Sequence, residues 1–144
     1  MKDRLNLDRF VQAQNSGGIH DLAVAELRSG RKTSHWMWFI FPQVAGLGHS
    51  ALSKLYAIRN LDEARAYLEH PVLRPRLLQV SGIVADQSGV TAVEIFGSTD
   101  ARKLNSSMTL FLRAAPAESV FSRVLGLLFD GRTDAATDRI LEHS

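Results

Sequence analysis

Two sets of residues in this chain have the types and spacing that chemistry requires. The first is Lys32 together with Ser34-His35-Trp36-Met37-Trp38-Phe39-Ile40-Phe41-Pro42-Gln43. His35 has the titration range of a general acid or base, and an apolar neighbourhood would move it. Trp36 and Trp38 offer flat faces on which a base or a sugar stacks, Lys32 offers an ammonium for an anionic group, and Ser34 and Gln43 bring hydrogen-bonding groups to the two ends. The same residues also have a structural use. A histidine among aromatics is more often a core residue with its ring nitrogens satisfied by backbone, and tryptophans mainly supply buried area. The sequence assigns His35 no partner acid, so it stays a candidate and no catalytic residue is assigned.

The second set is Asp100, Lys103 and Ser107, which fall at i, i+3 and i+7 on one side of a helix, with Ser106 adjacent. A serine activated by lysine is a known nucleophile arrangement, but Ser-x-x-Lys places the serine first, and here the lysine precedes Ser106. An i, i+3 Asp-Lys pair is usually a solvated pair worth about 0.5 kcal/mol or less. Polar contact to a ligand or to the aromatic segment therefore ranks above a nucleophilic role. Gly46-Leu47-Gly48-His49-Ser50-Ala51 matches the G-x-G-x-x-A form of a dinucleotide fingerprint, yet Pro42-Gln43 interrupts any strand leading in and a helix follows Ile58 where a second strand is needed. A Rossmann site is rejected, and the weaker idea that the Ser50 helix N-terminus receives an anion is kept. The five histidines show no H-E-x-x-H or similar spacing, so neither a metal nor a cofactor is expected.

The elements that must position these residues read as helices. A chain of 144 residues with 45% apolar and 22% charged residues has the size and composition of one packed domain, here 1–144. Asn6 is placed to cap a helix carrying Leu7, Phe10, Val11 and Gln14, and Asn15-Ser16-Gly17-Gly18 stops it. Ile19, Leu22, Ala23 and Leu27 give one helical face ending at Gly30. The aromatic run has no partner strand downstream, and an unpaired strand in a core would strand its backbone polar groups, so a short buried helix capped by Ser34 and ended by Pro42 is expected. Ser50 caps a helix with Leu52, Leu55 and Tyr56, and Asn60 with Glu63 has the spacing of a capping box. Leu73, Leu77, Val80 and Val84 mark a clear helix whose first turn tolerates Pro71 and Pro75. Val93 and Phe96 belong to a short helix that Gly97 stops before Ser98 caps a long one with Leu104, Met108, Phe111 and Leu112 inward. Phe121, Leu125 and Leu128 line the next, in which Gly126 suggests close helix packing, and Ile140 and Leu141 line the last. The sum is an all-α, compact, irregular bundle of about nine short to medium helices with no repeat period.

The remaining composition excludes several classes. With no cysteine there is no disulfide, thiolate metal site or cysteine nucleophile, which suits the cytoplasm. Met1-Lys2-Asp3-Arg4 leads into a helix without the apolar region of a leader, and six consecutive apolar residues fall far short of a membrane span, so no membrane association is expected. Net charge is +2 and the pI is near 9.3, but the basic residues are scattered, which makes nucleic acid an improbable partner.

Gly30-Arg31-Lys32, the segment 34–43 and Gly46-Leu47-Gly48 together resemble the signature of the family called domain of unknown function 1810. The likeness continues through Tyr56-Ala57-Ile58, Glu63 to Leu68, His70-Pro71-Val72-Leu73, Ile95-Phe96-Gly97 with Asp100 and Lys103, and Ser106 to Phe111, and so covers nearly the whole chain. The resemblance implies a mostly helical single domain and no particular activity. Some members carry a calpastatin label, but a calpain inhibitor works as an extended, disordered chain and this composition is that of a packed globule. Arg74 stands where the family more often has glycine.

Two functions are carried forward. In one, a pocket binds, and in an enzyme would process, a small anionic ligand such as a nucleotide or an ADP-ribose-like compound, with Lys32 and Lys103 on the anion and His35, Trp36 and Trp38 on its planar part. In the other, a non-enzymatic module docks a partner protein or a second copy of itself through residues 34–43. Monomer and homo-oligomer are equally open.

Overall fold

A computed structural model describes residues 5–143, so the Met1–Arg4 stretch read above lies outside them. Nine α-helical segments form among the described residues: α1 (Asp8–Asn15), α2 (Ile19–Arg28), α3 (Met37–Ile40), α4 (Ala51–Leu55), α5 (Leu61–Glu69), α6 (Leu73–Ala85), α7 (Ala92–Ala114), α8 (Ser119–Phe129) and α9 (Ala135–Glu142). No strand forms among these residues, and one isolated parallel bridge pairs Val44 with Ile58. The fold is all-α, as the periodicities require, and no described helix is long and apolar enough to cross a membrane.

α7 is the axis of the bundle. It packs on α5, α8 and α9, while α6 joins α8 to α2 and α5, and α1 lies against α2 and α3. Thr91 and Glu94 close a reciprocal capping box at the start of α7. Gly97 then breaks the helix at φ 80°, ψ 165°, a conformation only glycine adopts without strain, and this supports the separation of two helical pieces at that residue. The break leaves the Ile95 carbonyl without its helical partner, and the Lys32 N–H donates to it at 2.7 Å.

The core runs as a chain of aromatic contacts. Phe10 meets Tyr67 edge-on at 5.2 Å, Tyr67 meets Phe111 at 5.3 Å, and Phe111 meets Phe121 at 5.8 Å. Such pairs contribute about 0.5–1.5 kcal/mol each beyond the area they bury. Leu73, Leu77, Val80 and Val84 are all buried along α6, as their spacing predicts.

Several local expectations need correction. Asn6 sits at φ 50° and its side chain does not cap α1, whose N-cap is Leu7. Ser34 does not cap the aromatic helix, because its N–H and hydroxyl both go to Glu26, and Trp36 takes the cap position of a helix only four residues long. Leu22, Leu52 and Leu55 face outward from α2 and α4, helices with more apolar positions than core to meet, and Val93 faces outward from the first turn of α7. Gly126 is exposed with nothing within 4 Å of where a Cβ would stand, so it marks no close packing. Arg74 lies in α6 and pairs with Glu118.

Candidate functional site

The polar residues of the first set are organised by an acid that periodicity alone does not single out. Glu26 lies on the buried face of α2 with Ala23 and Leu27, and is 8% exposed. Its carboxylate accepts from the Thr33 N–H at 2.8 Å, the Ser34 N–H at 3.0 Å, the Ser34 hydroxyl at 2.5 Å and the Trp36 indole N–H at 3.0 Å. Burial alone would push this carboxyl up, but the Ser34 hydroxyl, the two backbone N–H groups and the indole together hold it down at about 2. The acid is thus ionised, fully occupied, and turned inward.

Beside it stands a ladder of cations and rings. Lys32 Nζ lies 2.8 Å from Asp100 Oδ2, donates to the Ser34 carbonyl, and sits 4.9 Å from the centre of the Trp36 ring. Lys103 Nζ lies 3.6 Å from Asp100 Oδ1 and 5.1 Å from the centre of the Trp38 ring. Asp100 therefore bridges two lysines, each over a tryptophan, and the structure does bring Lys32, Ser34, Trp36, Trp38, Asp100 and Lys103 together. What it does not do is open them all to a ligand. The Lys32 side chain is only 7% exposed and Trp36 is fully buried, so neither presents a face to solvent.

The other candidates separate. His35 is exposed rather than buried, with no hydrogen bond to a described residue, because Trp36 and Ser34 on either side take the inward positions. Ser107 is wholly buried and its hydroxyl has no hydrogen-bond partner, which removes it from any accessible site. Of the ladder Gln43 shares a surface only with Lys103, in a cleft of about 350 Å³ between the 43–48 loop, the middle of α7 and the start of α9.

That cleft collects donors. Arg102 and Lys103 face it from α7 with Thr99 and Ser106, at the i, i+3, i+4 and i+7 positions of one helical stripe. Ser53 reaches it from α4; its oxygen accepts from the Ser50 hydroxyl at 2.9 Å, which leaves its own hydrogen for the cleft. Gly48 lies so close to Ser53 that a Cβ would stand 2.4 Å from the serine Cβ, so the loop approaches α4 only as glycine. Ser106 and Thr137 Oγ1 are 2.7 Å apart, and Thr137 in turn donates to Asp134 Oδ2 at 2.6 Å. With the threonine hydrogen committed to the carboxylate, Ser106 is the donor to Thr137, and both hydroxyls are buried behind the cleft wall. Asp134 also caps α9 through the Thr137 N–H at 3.0 Å. Among the described residues, no group of His, Asp and Glu is placed to hold a metal. The Ser50 helix is five residues long and its capping hydroxyl is engaged with Ser53.

Arg102, Thr99 and Ser53 were not candidates from sequence. The signal was a stripe displaced by one position from the Asp100, Lys103, Ser107 stripe, and which of the two faces solvent is decided by where α9 packs.

Residues 4–141 match the family described as Protein of unknown function (DUF1810). A comparison with curated proteins returns no match. Among solved structures, the chain is similar to a conserved hypothetical protein, Rv1873, from Mycobacterium tuberculosis, at 46% identity and a TM-score of 0.94 over 97% of this chain and 99% of that one. The chain belongs to the DUF1810 family.

Proposed function

We propose that this DUF1810 family member binds a small anionic compound, of the class of a nucleotide or an ADP-ribose-like molecule, in the cleft between the 43–48 loop, α7 and α9. The observation that carries the reading is the convergence of Arg102, Lys103, Ser53, Thr99 and Gln43 on one concavity of about 350 Å³. Arg102 has no acceptor among the described residues, Lys103 shares Asp100 with Lys32, and the one carboxylate lining the cleft, Asp134, is already engaged by Thr137. A phosphate-bearing group supplies the missing acceptors. Lys103, rather than Lys32, is the lysine of the site, and Trp36 supports from within instead of stacking. Binding is favoured over turnover because Ser106 has no base at its oxygen, only Thr137. The lack of cysteine supports placing the protein in the cytoplasm.

Thermal unfolding with pyrophosphate, AMP, ADP and ADP-ribose tests the reading. A ligand at 100 times its Kd stabilises by about 2.7 kcal/mol, which for a chain of this size raises Tm by several degrees. A Tm that none of the four compounds moves would end the proposal. The alternative, docking through residues 34–43, has less in its favour, since His35 is the one exposed residue of that segment.

A further inference from the structure

A second cleft, of about 540 Å³, lies on the other side of Arg102. Its apolar walls are Ala92, Val93 and Ala101 of α7 with Leu128 and Phe129 at the end of α8. Val93 is 56% exposed and Leu128 and Phe129 are half-buried, so the surface is wet as it stands. Covering it would release about 25 cal/mol for each Å² of apolar surface removed from water.

The two clefts share two residues, Arg102 and Asp134. Arg102 is exposed and makes no hydrogen bond or ion pair with a described residue. The nearby acids are occupied: Asp100 by Lys32 and Lys103, Asp134 by Thr137. An unpaired guanidinium thus stands at the seam between a polar concavity and an apolar one. Its planar fork matches the paired oxygens of a phosphate, sulfonate or carboxylate, and its face tolerates a flat group lying beside it.

We infer that the ligand is an amphipathic anion, a planar or apolar body joined to a phosphate-type group, with the body in the cleft of Val93, Leu128 and Phe129 and the anion on Arg102. This rests on the anion-binding reading of the first cleft and adds a second subsite, which takes the ligand's body. A compound of that shape uses both concavities and the one cation common to them. Pyrophosphate, which has no apolar body, uses the first alone.

The probes are 8-anilino-1-naphthalenesulfonate, an aromatic body with one sulfonate, and pyrophosphate. Each is titrated against the wild-type chain and against Arg102→Ala, Arg102→Lys and Val93→Glu, with amide chemical shifts as the readout and Tm confirming that every variant is folded. All three substitutions are at exposed positions, and an acid at position 93 suits the first turn of a helix. The expected result is saturable wild-type binding of the naphthalenesulfonate, weakened at least tenfold by Arg102→Ala and by Val93→Glu and less by Arg102→Lys. Pyrophosphate is expected to weaken strongly with Arg102→Ala and only slightly with Val93→Glu, which adds a charge to the neighbouring cleft but removes nothing that pyrophosphate touches. No naphthalenesulfonate binding, or binding that either the alanine or the glutamate variant leaves unchanged, overturns the inference. Naphthalenesulfonate binding that responds to both variants, with no pyrophosphate binding at all, would instead remove the polar-cleft reading and leave Arg102 as the anion's seat.

Discussion

The knot around Glu26 and the cleft beside Arg102 are built from the same kinds of residue, and they differ in one respect. In the knot both acids are filled: four donors converge on Glu26, and Asp100 is held between Lys32 and Lys103. In the cleft the guanidinium of Arg102 is left over. Acid, base, hydroxyl and tryptophan at close spacing therefore do not mark a site by themselves. The mark is polar capacity that the fold leaves unused on a concave, solvent-facing surface.

That contrast predicts opposite phenotypes. The largest effect is expected for Glu26→Ala, which removes the acceptor of four donors at once, and several unsatisfied donors at about 1–3 kcal/mol each make a loss of roughly 3–5 kcal/mol. Urea unfolding measures it, and a loss below about 1 kcal/mol would show that the knot holds nothing together. Pyrophosphate affinity of the folded variant should be unchanged.

A smaller effect of the same origin appears in acid. Glu26 is held at about 2 in the folded chain against an ordinary value of 4.5, so the unfolded chain takes up the proton first. Its contribution is complete above about pH 4.5 and drains away as the pH falls towards 2. Asp138, lowered chiefly by its hydrogen bonds from Arg113, acts with the same sign, so the comparison is between the wild type and Glu26→Gln across that window. If the two lose stability in parallel, Glu26 is not the group responsible. The smallest effect on stability belongs to Arg102→Ala, expected within about 0.5 kcal/mol by the same urea measurement, as for an exposed side chain without partners. A large loss there would erase the distinction between knot and cleft.

Periodicity in the sequence carried the architecture well, because burial on one face repeats: the α6 stripe, the break at Gly97 and the caps at Ser50 and Asn60 all appear where spacing puts them. It carried the aromatic segment as a helix for lack of a partner strand, which is a statement about hydrogen bonds rather than propensity. The roles inside that segment were not legible. A histidine among aromatics favours the core, yet His35 lies outside, and Glu26 shares the apolar face of its helix, where spacing gives an acid no signal. Both outcomes depend on contacts between segments, the indole of Trp36 reaching back to α2 above all. The choice between the Ser107 stripe and the Arg102 stripe likewise depends on tertiary packing, and one residue of register separates a buried hydroxyl from a cleft wall.

The bridge between Val44 and Ile58 has a kinetic consequence. Ala45 N–H donates to the Ile58 carbonyl at 2.8 Å and Ile58 N–H to the Gln43 carbonyl at 2.9 Å, so the chain is tied at a neck and the residues between form a closed lobe that includes α4. Amide protons at Ala45 and Ile58 should exchange with solvent only when the neck parts, while those of the five-residue α4 exchange through local fraying. Arg9 pins the same lobe to α1, its guanidinium donating to the Leu55 and Ala57 carbonyls at 2.8 Å each, so the segment that carries Leu47, Gly48 and Ser53 to α7 is held from two sides.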